Sequence, residues 1–193
     1  MTQPSMSARR PANRGPKAAA HNRAALVAAA REIFAVQGLD APLSLIARRA
    51  GVGQGVLYRH FPDRGALAAA VLEKNVREIE AAAAADGATI AATLGVVTWH
   101  ITQSAAFIRL LHAEGTRPDN QQWLSHLSDR VENALRRCLP DGYRLGVDDL
   151  TLAVSMVSGA AAGPTPQQRE RRALAAWRLL GVTVGPVRPF DTD

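Results

Sequence analysis

Residues 42–61 read PLSLIARRAGVGQGVLYRHF. Leu43, Ile46, Ala47 and Ala50 recur at i, i+3, i+4 and i+7, the spacing that places them on one face of a helix of roughly two turns. Gly51 follows the last periodic residue, where a left-handed cap favours a residue without a Cβ, and Val52 then turns back toward a core. Gln54–His60 reads as a second helix with Gly53 at its N-cap and with Leu57 and Phe61 one turn apart on its buried side. The face left over carries Gln54, Gly55, Tyr58 and Arg59. Two short helices joined by a tight glycine-containing turn are the layout of a helix-turn-helix, whose second helix fits a DNA major groove about 12 Å wide. A hairpin that only packs inside a core has no need for Gln, Tyr, Arg and His together on its second helix.

The charge distribution agrees with a polyanion partner. The 193 residues carry a net charge of +6. Residues 1–64 contain ten Lys and Arg against three Asp and Glu, a net +7, which leaves 13 basic and 14 acidic residues, net −1, for the other 129. Excess positive charge confined to the first third is the footprint of a nucleic-acid-binding module joined to a neutral one. A membrane is also a polyanion, but the longest apolar run, 150–163, contains Thr, Ser and Gly and falls short of the roughly 18 residues of a spanning helix. The run AALVAAA at 24–30 is cut by Arg31 and Glu32, which argues against a secretion signal. A single cysteine, Cys138, forms no internal disulfide and fits a reducing cytoplasm.

Hydrophobic residues make up 47% and aromatics 5%, with alanine abundant, a composition that favours helix over sheet. Residues 1–20, with three prolines and basic residues but no acid, are expected to form a disordered basic arm. Either it only solubilises the chain, or Arg14 and Lys17 follow phosphates or enter the minor groove. From His21 the pattern turns helical, with Leu26, Ala30, Ile33, Phe34 and Gln37 on one face and Gly38 closing it. Pro62 ends the second helix of the motif, and Asp63 is placed to cap a further helix from Arg64 to about Ala85. Arg64 and the free amides beside it suit a phosphate. Helical segments follow near 88–103, 104–114, 119–138, 148–162 and 167–180, separated by Gly and Pro clusters. The expected fold is all-α: residues 21–66 form a three-helix DNA-binding domain and residues 67–193 a larger helical regulatory and dimerisation domain.

The stretch IARRAGVGQGVLYRHFPDRGAL, Ile46–Leu67, and more broadly residues 21–72, resemble the DNA-binding domain of the TetR family of bacterial transcriptional repressors. The family pattern there is Thr, three residues, Ile-Ala, two residues, Ala-Gly-Val-Ser, one residue, Gly-Thr-Leu-Tyr, one residue, His-Phe, two residues, Lys-Glu, one residue, Leu. Pro42, Gly53, Val56, Arg64 and Gly65 stand where that pattern prefers Thr, Ser, Thr, Lys and Glu. The resemblance implies phosphate contacts from Tyr58, His60 and Arg64, and base or groove contacts from Ser44, Gln54, Gly55, Val56 and Arg59. Side-chain chemistry assigns compatible roles. Gln54 can pair with an adenine edge, Arg59 with guanine, and the Val56 methyls can meet a thymine methyl, while Tyr58 and His60 set register. For His60 the alternative is a histidine stabilised by the helix C-terminus.

The resemblance further implies a homodimer through the last two long helices and a ligand pocket. Those helices carry small residues (Ser155, Ser158, Gly159, Ala160, Ala161) and an apolar side (Leu174, Trp177, Leu180). The small residues fit either close helix approach between subunits or alanine-rich core packing. Trp99, His100, Phe107, His112, Trp123 and Met156 are the candidate ligand-binding residues for a hydrophobic small-molecule effector, each with core packing as its alternative. The expected function is a transcriptional regulator, a repressor that binds a palindromic operator and is released by that ligand. The competing reading is a helical sensor or assembly protein that has lost its operator. An enzyme is not expected: no histidine pair has metal-ligand spacing, no glycine-rich phosphate loop follows a strand, and no cofactor or metal is implied. Cys138, beside Arg136 and Arg137, reads either as a redox-sensitive thiol or as a buried structural residue.

Overall fold

A computed structural model describes residues 15–103 and 118–190, without the side chains of 118–121. Among the described residues the protein is built from eight α-helices and no strand. The first three are α1 (Pro16–Gln37), α2 (Leu43–Arg49) and α3 (Gln54–His60). Helix α1 starts inside the segment expected to be an arm. Gly15 supplies the extended N-cap, Pro16 occupies the first turn where its missing amide costs nothing, and Lys17 with three alanines continues the helix. Its last turn ends at Gly38, which adopts φ 78° and donates its N–H to the Phe34 carbonyl.

The turn between α2 and α3 is set by Gly51 at φ 70°, a left-handed conformation that penalises a Cβ. Val52 N–H then donates to the Ala47 carbonyl at 3.0 Å, folding the chain back across the end of α2. Helix α4 (Arg64–Ala84) begins where Asp63 accepts a hydrogen bond from the Ala66 N–H at 2.8 Å. At 21 residues it is roughly 31 Å long, and it runs through both hydrophobic cores. Leu67, Val71, Leu72 and Val76 pack with Leu26, Phe34, Ile46, Leu57 and Phe61, while Ile79, Ala82 and Ala83 belong to the second core.

That second core is built by α5 (Ile90–Gln103), α6 (Pro118–Cys138), α7 (Val147–Ala160) and α8 (Pro166–Leu179). Their bounds lie within two residues of the expected helices, whereas the segment expected at 104–114 falls outside the described residues. Helix α6 also reaches back, placing Leu127 in the first core with Trp123 and Val131 against it. The tail after α8 lies along α5: Gly185 N–H donates to the Ala91 carbonyl at 2.8 Å. The Pro186 carbonyl comes so close to Gly95 that a Cβ there would sit 2.4 Å from its oxygen.

On the apolar side of the last helix, Trp177 is fully buried and donates its indole N–H to the Thr98 hydroxyl at 2.9 Å, so it belongs to the core. Ser158 and Ala161 are buried as well. The outward face of the α7–α8 pair is formed instead by Leu152, Met156, Gly159, Ala160 and Leu179.

Candidate nucleic-acid interface

Helix α3 is anchored by Leu57, which is fully buried, and by Phe61 just beyond its end. Those anchors turn the opposite face outward: Gln54, Gly55, Tyr58 and Arg59 are exposed, Val56 and His60 half-buried. The Arg59 Nε donates to the Gly55 carbonyl at 3.2 Å. This lays the side chain back along the helix and leaves both terminal nitrogens for a partner. On α2, Ser44, Arg48 and Arg49 are exposed, with Arg49 held by Glu32 at 2.6 Å.

Beside α3 the surface opens into a cleft of about 740 Å³ between the N-terminal turns of α1 and the helix-turn-helix. Pro16, Ala19 and Asn22 form one wall, and Val56, Arg59 and His60 the other. Lys17, exposed, lies in the turn of α1 between Pro16 and Ala19. Arg14 lies outside the described residues. Two neighbours of this surface carry no signal of their own in the sequence: Asn22, which lines the cleft, and Arg23, whose guanidinium sits 5.2 Å from the Phe61 ring centroid. Both lie on the outer side of a helix read only for its apolar face.

Arg64 is tied into the fold more firmly than a surface phosphate ligand would be. Its Nη1 donates to the carbonyls of Leu39 and Ala41, fixing the loop that enters α2. One guanidinium nitrogen thus positions the motif.

Of the residues expected to line a ligand pocket, Trp99 and His100 are in contact with each other, while Met156 and Trp123 lie in other surroundings. Phe107 and His112 lie outside the described residues. Met156 is 54% exposed on the outer face of α7, and Trp123 packs half-buried against the first core. Trp99 lies under the Arg31 guanidinium, 5.3 Å from the ring centroid, with the His100 ring 4.9 Å away in an edge-on arrangement. His100 is 1% exposed, and neither ring nitrogen makes a hydrogen bond. Its Nε2 lies 3.3 Å from the Glu78 carboxylate, but burial, reinforced by Arg31 and Lys74, pushes the imidazole pKa down to about 3. At neutral pH the ring is therefore uncharged and the contact is not an ion pair.

An apolar groove of about 250 Å³ lies elsewhere, between α4, α6 and α7. Leu72, Val76, Leu127, Val131, Leu135 and Val154 line it, with hydroxyls from Ser128, Thr151, Ser155 and Ser158. The Thr151, Ser155 and Ser158 hydroxyls donate to carbonyls four residues back, at 3.0, 3.1 and 2.8 Å, and keep lone pairs for a donor. The sequence signal for the groove is the spacing Leu124, Leu127, Val131, Leu135 along α6.

Cys138 is buried, with its sulfur 3.4 Å from both the Ala83 carbonyl and the Thr93 hydroxyl, the geometry of a structural thiol. Among the described residues no cluster of His, Cys, Asp and Glu is arranged to hold a metal ion, and no helix is long and apolar enough to cross a membrane.

Residues 26–71, which include α2 and α3, match the model of the tetR family of bacterial regulatory proteins. No curated protein matches the chain significantly. Among solved structures, a TetR transcriptional regulator from Streptomyces coelicolor is 26% identical, with a TM-score of 0.56, over 88% of this chain and 99% of its own. A TetR regulatory protein from Mycobacterium vanbaalenii is 31% identical over 73% of this chain and 95% of its own, with a TM-score of 0.47. GusR from Salmonella enterica, at 20% identity, has a TM-score of 0.54 over 84% of this chain and 95% of its own. The family model falls on the same segment whose second helix is held outward by Leu57 and Phe61, and the likeness in sequence extends over nearly the whole of the two TetR regulators. The chain therefore belongs to the TetR family of DNA-binding transcriptional regulators.

Proposed function

We propose that this protein is a repressor that binds a palindromic operator as a homodimer and releases it when a small apolar molecule binds. The observation that carries the reading is the outward face of α3, with Gln54, Tyr58 and Arg59 exposed beside a cleft walled by α1, in the third of the chain that holds all the excess positive charge. Gln54, Gly55, Val56, Arg59 and Ser44 contact bases or groove walls. Lys17, Tyr58, His60, Arg64 and, from the segment before α1, Arg14 contact phosphates. Exposed Leu152, Met156 and Leu179 on the α7–α8 pair support association with a second copy, since large apolar side chains left in water on one helix pair favour a partner. Two-fold symmetry would match two half-sites one helical turn apart. The groove between α4, α6 and α7 favours an uncharged effector with an apolar body and a donor for the serine and threonine hydroxyls. Such a ligand releases DNA only by binding better to the conformation that fits two half-sites worse. The protein acts in the cytoplasm.

Selection of bound fragments from a random DNA pool tests the reading. Enrichment of an inverted repeat, bound with a steep salt dependence, is the expected result. Salt-sensitive binding without enrichment would contradict specific recognition. No binding at low salt would favour a helical sensor that has lost its operator.

A further inference from the structure

Arg169 of α8 is 3% exposed, and among the described residues no carboxylate pairs with it. All three guanidinium nitrogens instead donate to backbone carbonyls. Nε donates to Thr102 near the end of α5 at 2.6 Å, Nη1 to Gly163 in the loop before α8 at 3.0 Å, and Nη2 to Ala35 at 3.1 Å. Ala35 lies in the last turn of α1, 134 positions away in the chain. A helix C-terminus carries partial negative charge and up to four unsatisfied carbonyls. The last turn of α1 has no basic residue of its own, so α8 supplies the cation that it lacks. Burying an arginine without an acid costs free energy, and removing it would leave the buried contacts at the Thr102 and Ala35 carbonyls without their donor.

The location gives this contact a consequence for DNA. Beyond Ala35 the chain passes Gly38 into the loop whose Leu39 and Ala41 carbonyls are held by Arg64, and from there directly into α2. One end of the helix-turn-helix is thus tied through α1 to the helix pair that carries the exposed apolar face. Arg31, two turns of helix before the end of α1, provides a separate tie to Glu78 of α4.

We propose that Arg169 is a positioning residue that fixes the angle between the helix-turn-helix and the α7–α8 pair, and thereby the half-site spacing that the dimer accepts. The proposal rests on the homodimeric operator reading above. It touches no DNA and adds nothing to a single half-site. Its effect exists only when two recognition helices must reach two grooves at once.

The test uses the full chain, the selected inverted repeat, the same repeat with one or two base pairs inserted or removed between half-sites, and an isolated half-site, with binding followed by fluorescence anisotropy. Wild type is expected to prefer one spacing. Arg169→Met is expected to bind that spacing about tenfold more weakly, the scale of an ordinary coupling between sites, to bind the half-site as wild type does, and to flatten the preference among spacings. An unchanged spacing profile in folded Arg169→Met would overturn the proposal. So would a loss on the half-site as large as that on the full site, which is what general loosening of the fold produces. Should Arg169→Met fail to fold, Arg169→Lys decides: it keeps the charge and the stem but cannot serve three carbonyls in a planar fork. It is expected to flatten the profile partly, and full retention would overturn the proposal. A wild type with no preference for two half-sites would instead refute the dimeric operator reading itself, before any variant is compared.

Discussion

One nitrogen of Arg31, in α1, lies 3.0 and 2.8 Å from the two carboxylate oxygens of Glu78, in α4, while the guanidinium plane covers Trp99. Both side chains are mostly buried, which shields the pair from salt and solvent. Arg31→Met keeps the apolar stem but leaves Glu78, among the described residues, with Lys74 at 3.8 Å and an uncharged His100. The expected loss is about 2 kcal/mol of unfolding free energy, in the range for a hydrogen bond between charged groups. Urea denaturation with an unchanged slope and a lowered midpoint checks it.

Arg59 and Tyr58 are adjacent on α3, yet different outcomes are expected from them. Arg59→Ala removes two free guanidinium nitrogens suited to a guanine edge and should relax base preference at one position, by about 1–3 kcal/mol of discrimination. Tyr58→Phe removes a hydroxyl suited to a phosphate and should weaken specific and random DNA alike. Titrations of both variants on the selected operator and on a scrambled duplex separate the roles; equal losses on both DNAs for both variants would refute the assignment.

Leu152→Asp and Met156→Glu place charges on the outer face of α7, where 61% and 54% of each native residue is exposed in the isolated chain. Neither should disturb the core, so the melting behaviour of a single chain should change little. Sedimentation of the double variant should give a monomer where wild type gives a dimer. A dimer that survives both charges would move the interface to another face.

The neutral His100 makes stability depend on pH. Its folded-state pKa of about 3 lies below the ordinary 6.5, so as pH falls below about 6.5 the unfolded chain takes up a proton that the folded chain refuses. Its contribution is therefore complete above 6.5 and declines toward 3, with a slope of up to about 1.4 kcal/mol per pH unit. Glu73 and Glu80 act in the same direction at lower pH. Burial raises the pKa of Glu73, but hydrogen bonds from Arg130 and Arg77 outweigh it; for Glu80 the Arg130 hydrogen bond dominates. Both are held below 4.5, so their contribution is lost as pH falls beneath that value. His100→Phe should flatten the stability profile between pH 6.5 and 5 and leave the carboxylate-dependent fall below 4.5 in place. A parallel slope in wild type and variant would rule His100 out as its source.

The DNA-facing helix was legible because its limits are written in local chemistry: Gly53 opens α3, Pro62 forbids its continuation, and Leu57 with Phe61 fixes which side turns inward. The start of α1 was not, since a proline reads as a break until its place in the first turn is known. Trp177 illustrates a different limit. Periodicity places it on an apolar side of α8 but does not say which apolar side meets its own core, and only Thr98, 79 positions away, settles that. The groove between α4, α6 and α7 is walled by leucine, valine and small hydroxyls, residue types so common in helical cores that nothing marks them out in the sequence. Arg64 and Arg169 act on backbone carbonyls, and a carbonyl carries no residue identity to be read.

The three tryptophans are natural optical reporters for different parts of the molecule. Trp177, sealed in the second core, will emit as a buried indole until the protein unfolds. Trp99 lies under a cation from α1, and Trp123 rests on the core shared by α1, α3 and α4. Phenylalanine at positions 123 and 177 would leave Trp99 as the sole tryptophan, placed where α5 meets α1. Its intensity and quenching by acrylamide would then follow movement of α1 without a label, separately from loss of the fold.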